Sequence, residues 1–364
     1  MKKQTLIIIA LIVVGLLVFY NWPSRTPSEP VENPEKEPTP TATAEDTLNF
    51  YNWTDYTPPE LLQKFEDETG IKVVLDTYDS NETLLAKLQA GGANYDLVVP
   101  SQHFVEIMVK EGLLQKVGVS GMPNYQYVDA KWRKPSWDPE QEYSSPYQMG
   151  SASFAFRHDL YSGKGESLKE FLEPSEEVCG RLGVFKSPDE VVTLAHLYLG
   201  TPFCSENPTE MQAVQDLLLK QKACVTAYSS EGQNDRLKNG DVIMHSHWDG
   251  YTHVGASEGI PLHYAYPKEG VVGWFDSLVV PVGAENVDNA KKFMNFLMVP
   301  ENMAMLSNFA SYANAIPDAT QYLDEALKSS QALNVPSEVP VKFNEACGEK
   351  AQKLMDRVWT KVSQ

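Results

Sequence analysis

Two signatures of common enzymes are missing from this 364-residue chain. It has no H-E-x-x-H zinc helix and no phosphate-cradling P-loop. Positive charge is scarce as well: 30 Lys and Arg stand against 49 Asp and Glu, a net charge of −19. Such a field repels nucleic acid and anionic lipid and draws in cations, although many acidic proteins are merely soluble. Cysteine is sparse too. Cys179, Cys204, Cys224 and Cys347 include no C-x-x-C pair, so no structural zinc site is expected. Four cysteines allow three disulfide pairings, and sequence does not choose among them. There is no internal repeat: FYNW occurs at Phe19–Trp22 and at Phe50–Trp53, but the flanking residues share nothing.

What is present begins with "MKKQTLIIIALIVVGLLVFYNW", two lysines followed by an uncharged apolar run. That is the layout of an export signal or a membrane anchor, expected over residues 1–22. No cysteine follows it, so lipoprotein processing is excluded, and Ala42-Thr43-Ala44 lies far from the run for a cleavage site. Residues 23–46 are rich in Pro, Glu, Ser and Thr and read as an extended tether. An extracytoplasmic body, released or anchored through residues 6–22, follows from either reading. Export permits disulfides.

Beyond the tether, strand and helix patterns alternate. "LNFYNW" reads as a strand, and "TPPELLQKFEDETG" as a helix with Thr57 as N-cap, Pro58 at the first helical position and Gly70 as its stop. "IKVVLDTY", a helix opened by Ser80 or Asn81, the strand "YDLVVPS" and the helix "HFVEIMVKEG" complete a β-α-β-α-β run. This predicts an α/β fold with a parallel sheet, and 42% apolar residues suffice for two lobes. Ligands collect beyond the carboxyl ends of such strands, here Trp53-Thr54-Asp55-Tyr56 and Ser101-Gln102-His103.

The segments "FYNWTDYTPPELLQKFEDETGIKVV", "DSNETLLAKLQAG", "YDLVVPS", "GDVIMHSHWDG", "YPKEGVVGWFDSLVVP" and "SYANAIP" together resemble the periplasmic polyamine-binding proteins, the spermidine/putrescine receptors of ABC importers. The resemblance covers nearly all of residues 48–364. It implies a two-lobed periplasmic-binding-protein fold of the type II kind, each lobe a mixed sheet flanked by helices and joined by hinge strands. One lobe would comprise residues 47–148 and 268–318, the other 149–267 and 319–364. The implied protein is a monomer without enzymatic activity, cofactor or metal. It takes a polyamine between its lobes and hands it to an ABC permease; a polyamine sensor serving a membrane signalling receptor is the alternative. Residue by residue, the resemblance assigns ligand contact to Trp53, Thr54, Asp55, Tyr56, Ser101, Trp274, Asp276, Trp248, Tyr312 and Glu190. His103 stands where spermidine-type members carry an aromatic residue. Asp249 follows Trp248 directly, whereas putrescine-type members place an acid three positions on, where this chain has Tyr251. His103 and Asp249 complete the candidate set. Of the family's usual cysteine pair, Cys179 matches, but the partner's strand position falls on Ile243.

The chemistry suits an amine. A polyamine offers ammonium groups spaced by methylenes, which carboxylates at fixed spacing and intervening aromatic faces recognise. Each residue also has a plainer reading. Trp53 and Trp274 read alone as core aromatics, Asp55 as a turn residue, and Glu190 as a helix N-terminal acid favoured by the dipole. Asp276 sits inside an apolar strand and needs a partner, whether ligand, backbone or arginine. His245 and His247 share a strand face with Asp249 nearby, but no third and fourth metal ligands accompany them.

Overall fold

The computed structural model describes residues 46–91 and 94–363. The apolar leader, the tether up to residue 45 and the first FYNW lie outside the described residues. Among the described residues no helix is long and apolar enough to cross a membrane.

Among the described residues ten strands form one sheet: β1 (Thr47–Trp53), β2 (Lys72–Tyr78), β3 (Leu97–Val98), β4 (Ser144–Arg157), β5 (Leu182–Val184), β6 (Val225–Tyr228), β7 (Met244–Trp248), β8 (Leu262–Tyr264), β9 (Val271–Val279) and β10 (Val341–Phe343). The order is β2-β1-β3-β9-β4-β7-β5-β6, with β10 added on β9 and β8 on β4. β1 runs parallel to both β2 and β3, as the alternating pattern predicts. The helix Pro59–Thr69 stops at Gly70, whose φ of 74° lets its amide reach back to the Glu66 carbonyl. Its start differs from expectation: Pro58 holds the cap position, and Thr57 does not cap. The buried Thr57 hydroxyl lies 2.7 Å from both Asn52 Nδ2 and the Tyr147 hydroxyl, partners that a local helix rule does not foresee. Ser80 does cap, accepting from the Thr83 amide at 3.1 Å.

Two separate apolar cores show where the mass divides. One gathers Phe50, Phe65, Phe293 and Leu297; the other gathers Phe154, Phe171, Phe185 and Leu218. A smaller cluster of Tyr51, Tyr78, Leu84, Phe104 and Met108 covers the other face of β1, so helices flank that sheet on both sides. The antiparallel pair β4 and β9 feeds both main cores. Tyr147, Phe275 and Leu278 belong to the first, while Ala152, Phe154 and Val272 belong to the second. These two strands therefore carry the chain from one lobe into the other, as hinge strands do. Their middle, around Gly150 and Trp274, lies where the lobes meet.

The disulfides are Cys179–Cys224 and Cys204–Cys347. The first ties the approach to β5 to the start of β6, and Ile243, the position indicated for the family's partner, lies fully buried in the second core. The second anchors the approach to the C-terminal helix Glu349–Ser363, which docks through Met355, Val358 and Val362. Cys204 and Cys347 are 143 residues apart, Cys179 and Cys224 only 45. Loop entropy makes the longer link worth about 1 kcal/mol more. We expect the double variant Cys204→Ala/Cys347→Ala to lose about 2–4 kcal/mol of unfolding free energy in a urea titration. A loss smaller than that of Cys179→Ala/Cys224→Ala would contradict the ranking.

Candidate functional site

The site is built around Asp276 of β9. The strand around it is mostly apolar, yet the carboxylate is met on both oxygens: Ser101 Oγ donates to Oδ1 at 2.7 Å and the Tyr56 hydroxyl donates to Oδ2 at 3.0 Å. Ser101 occupies the cap position of the helix Gln102–Lys110 but does not cap it. Its hydroxyl turns to Asp276 instead, and Asn81 steadies it by donating to Oγ at 3.0 Å and accepting from its amide at 3.1 Å. Burial raises the Asp276 carboxyl to about 7, against the lowering effect of its two donors. Two hydrogen bonds thus stabilise the charge without fully offsetting the loss of water.

Aromatic rings stand beside it. Trp274, two residues back on β9, meets the Tyr312 ring edge-on at 4.8 Å, and Tyr312 meets Tyr56 at 5.9 Å. The indole Nε1 of Trp274 is buried without a hydrogen-bond partner. Gly150 of β4, register partner of Trp274, makes the packing possible: a Cβ there would lie 2.5 Å from the indole and 2.6 Å from Asp249 Oδ1.

Two more carboxyls face this cluster from the second lobe. Asp249 opens the helix Asp249–Ser257 and accepts from the Ser151 amide and hydroxyl at 2.7 and 2.9 Å. Burial nevertheless raises it to about 7. Glu190, at the start of the helix Pro188–Leu199, accepts from Trp248 Nε1 at 2.5 Å and is likewise raised to about 7 by burial. Trp248 stacks on Phe185 at 4.4 Å. After burial, the Tyr312 phenol is pushed further up by Asp249, Asp276 and Glu190, so all three carboxyls lie within electrostatic reach of one hydroxyl.

Most of the expected residues converge here: Tyr56, Ser101, Glu190, Trp248, Asp249, Trp274, Asp276 and Tyr312. Trp53 is half-buried against Tyr78 and donates its Nε1 to the Val99 carbonyl at 2.9 Å. Thr54 and Asp55 are exposed at the end of β1, Asp55 with a φ of 53°. Burial raises the Tyr251 phenol, and Asp235, Glu258 and Asp55 add to that in decreasing order. His103 is buried; its Nε2 lies 3.2 Å from Asp189 Oδ2 on the facing lobe. That contact borders a cavity of about 490 Å³ lined by Glu82, Phe104, Phe203 and Asp356, apart from the Asp276 cluster. His245 and His247 direct Nδ1 to the backbone carbonyls of Ser246 and Trp248, and burial lowers them to about 3 and about 4. Among the described residues no three His, Cys, Asp or Glu side chains gather as a metal site would need.

Sequence reasoning missed Asn81, Gly150, Ser151 and Asp189. Asn81 carried a signal, since it stands in the quoted "DSNETLL". Gly150 and Ser151 carried none, because their role depends on the register of β4 against β9 and on the lobe behind them.

The fold and this cleft define a solute receptor, and the comparisons agree. Residues 60–335 match the model of the bacterial extracellular solute-binding proteins, and the chain belongs to that family. It is 33% identical over 326 residues to the putrescine-binding periplasmic protein SpuD of Pseudomonas aeruginosa, covering 83% of this chain and 87% of that one. To the spermidine/putrescine-binding periplasmic protein of Salmonella typhimurium it is 35% identical over 295 residues, covering 80% and 84%. Among solved structures it is similar to the spermidine/putrescine ABC transporter substrate-binding protein PotD of Streptococcus pneumoniae, at 26% identity, with a TM-score of 0.76 and coverage of 87% and 98%.

Proposed function

We propose that the protein is an extracytoplasmic receptor that takes a polyamine between its two lobes and delivers it to an ABC importer, without catalysing a reaction. The observation that carries this reading is the arrangement of two buried carboxyls, Asp276 and Asp249, and the half-buried Glu190 around the rings of Trp274, Tyr312 and Tyr56. Carboxylates at two ends with π faces between them suit a cation–methylene–cation ligand. Each carboxyl is held uncharged up to about neutrality by burial, and an incoming ammonium supplies the missing counter-charge. The named relatives are periplasmic putrescine- and spermidine-binding proteins, which supports both the amine and the location outside the cytoplasm. They give no support to the signalling-receptor alternative. We assign the two lobes to residues 47–148 with 268–318 and 149–267 with 319–364, acting as a monomer.

Closure across the hinge strands would shield the ligand from water and report occupancy to the permease. The test is calorimetry of the purified protein with diamines of three to six methylenes, spermidine and spermine. Saturable binding to at least one member is expected. No heat and no thermal shift with any of them would overturn the polyamine reading.

A further inference from the structure

Gln148 takes no part in the site as drawn so far. It is 1% exposed, and neither its Oε1 nor its Nε2 has a hydrogen-bond partner. A carboxamide is a poor choice for a dry interior, since leaving both ends unmet costs far more than a leucine of similar volume would. Such a residue persists where something else supplies its partner.

Its position says what. Gln148 is the register partner of Asp276 across the antiparallel β4–β9 pair, so both side chains leave the sheet on one face. The shift in register between Pro146 and Gln148 sets that phase. Two residues on, Gly150 faces Trp274, and the alternation of a strand keeps Gln148 on that same face. On the other edge of β4, Met149 bridges to Ala313, the residue after Tyr312. Gln148 thus stands beside the anchoring carboxylate, on the face that carries the aromatic rings.

We propose that Gln148 is a ligand-contacting residue whose Oε1 accepts an N–H from the ammonium held by Asp276, so that this end of the site selects a primary amine. This rests on the amine reading above. A primary ammonium brings three N–H donors. Asp276 accepts from the ligand on the lone pairs that Ser101 and Tyr56 leave free, and ring faces take only diffuse charge. Gln148 supplies a directed acceptor that a trimethylated nitrogen cannot use.

The experiment measures affinity of the whole protein and of Gln148→Leu and Gln148→Met for 1,4-diaminobutane and for its form trimethylated on one nitrogen, together with ligand-free thermal stability. The wild-type protein is expected to prefer the primary diamine. Both variants should lose about tenfold to a hundredfold in affinity for it, and the preference should shrink by a similar factor. Their ligand-free stability should equal or exceed that of the wild type, because an unpaired carboxamide has gone. Unchanged diamine affinity in a stable variant would overturn the role of Gln148 while leaving the amine reading intact. Wild-type protein that binds neither a diamine nor spermidine or spermine would overturn both.

Discussion

Asp276→Asn is expected to weaken diamine binding by two to three orders of magnitude while leaving the protein folded. The substitution keeps the shape of the side chain and an oxygen to accept from Ser101 or Tyr56, but removes the charge. A ligand ammonium would then lie among Trp274, Tyr312 and Tyr56 with its nearest counter-charge gone, and leaving one partner of a buried pair alone costs about 3–5 kcal/mol. Rings return only part of that, about 0.5–2 kcal/mol for each well-placed face. The ligand-free protein should not suffer at pH 8. There the native state carries an ionised, buried carboxylate whose pKa has been raised to about 7, and a neutral amide spares that cost. Calorimetry at pH 8, with a thermal melt as the control for folding, separates the two effects. Affinity within threefold of wild type would remove Asp276 from its proposed role as the ammonium anchor.

How much of this was legible beforehand depends on how local each feature is. The β-α-β-α-β run could be read because its signals lie within a few residues: Ser80 before its helix, Gly70 after another, and apolar runs of strand length. Thr57 shows the limit. Every local rule makes it a cap, yet a tyrosine ninety residues away claims its hydroxyl. Asp276, Ser101 and Trp274 were found through shared segments, not through periodicity, which places Trp274 and Asp276 on one face of a strand but says nothing of what that face meets. Gln148 and Gly150 were out of reach because one bulge decides which way they point. The contact of His103 with Asp189 joins two helices 86 residues apart on different lobes, a matter of tertiary approach alone. The disulfides were equally hidden, since three pairings fit the same four letters.

Affinity for a diamine should rise steeply between pH 5 and pH 8 and level off above. Burial raises Asp276, Asp249 and Glu190 each to about 7, so the ligand-free cleft is largely protonated at pH 5. An ammonium stays charged until roughly pH 10, so the titration over this range belongs to the protein. Each carboxyl that must ionise to receive an ammonium weakens binding about tenfold per pH unit below 7, roughly a hundredfold at pH 5. On the proposed reading a diamine engages Asp276 at one end and a second-lobe carboxyl at the other, so the limiting slope is about two protons per ligand. The sign for folding is the reverse. A carboxyl whose pKa is higher in the native state than in the unfolded chain contributes stability below about pH 4, and that contribution is lost as the pH rises through about 7. Ligand-free protein should therefore become less stable over the range in which it binds more tightly. Calorimetry in buffers of different ionisation enthalpy counts the protons released, and Asp276→Asn should release about one fewer. A flat affinity profile from pH 5 to pH 8 would mean that these carboxyls do not receive the ligand's charge.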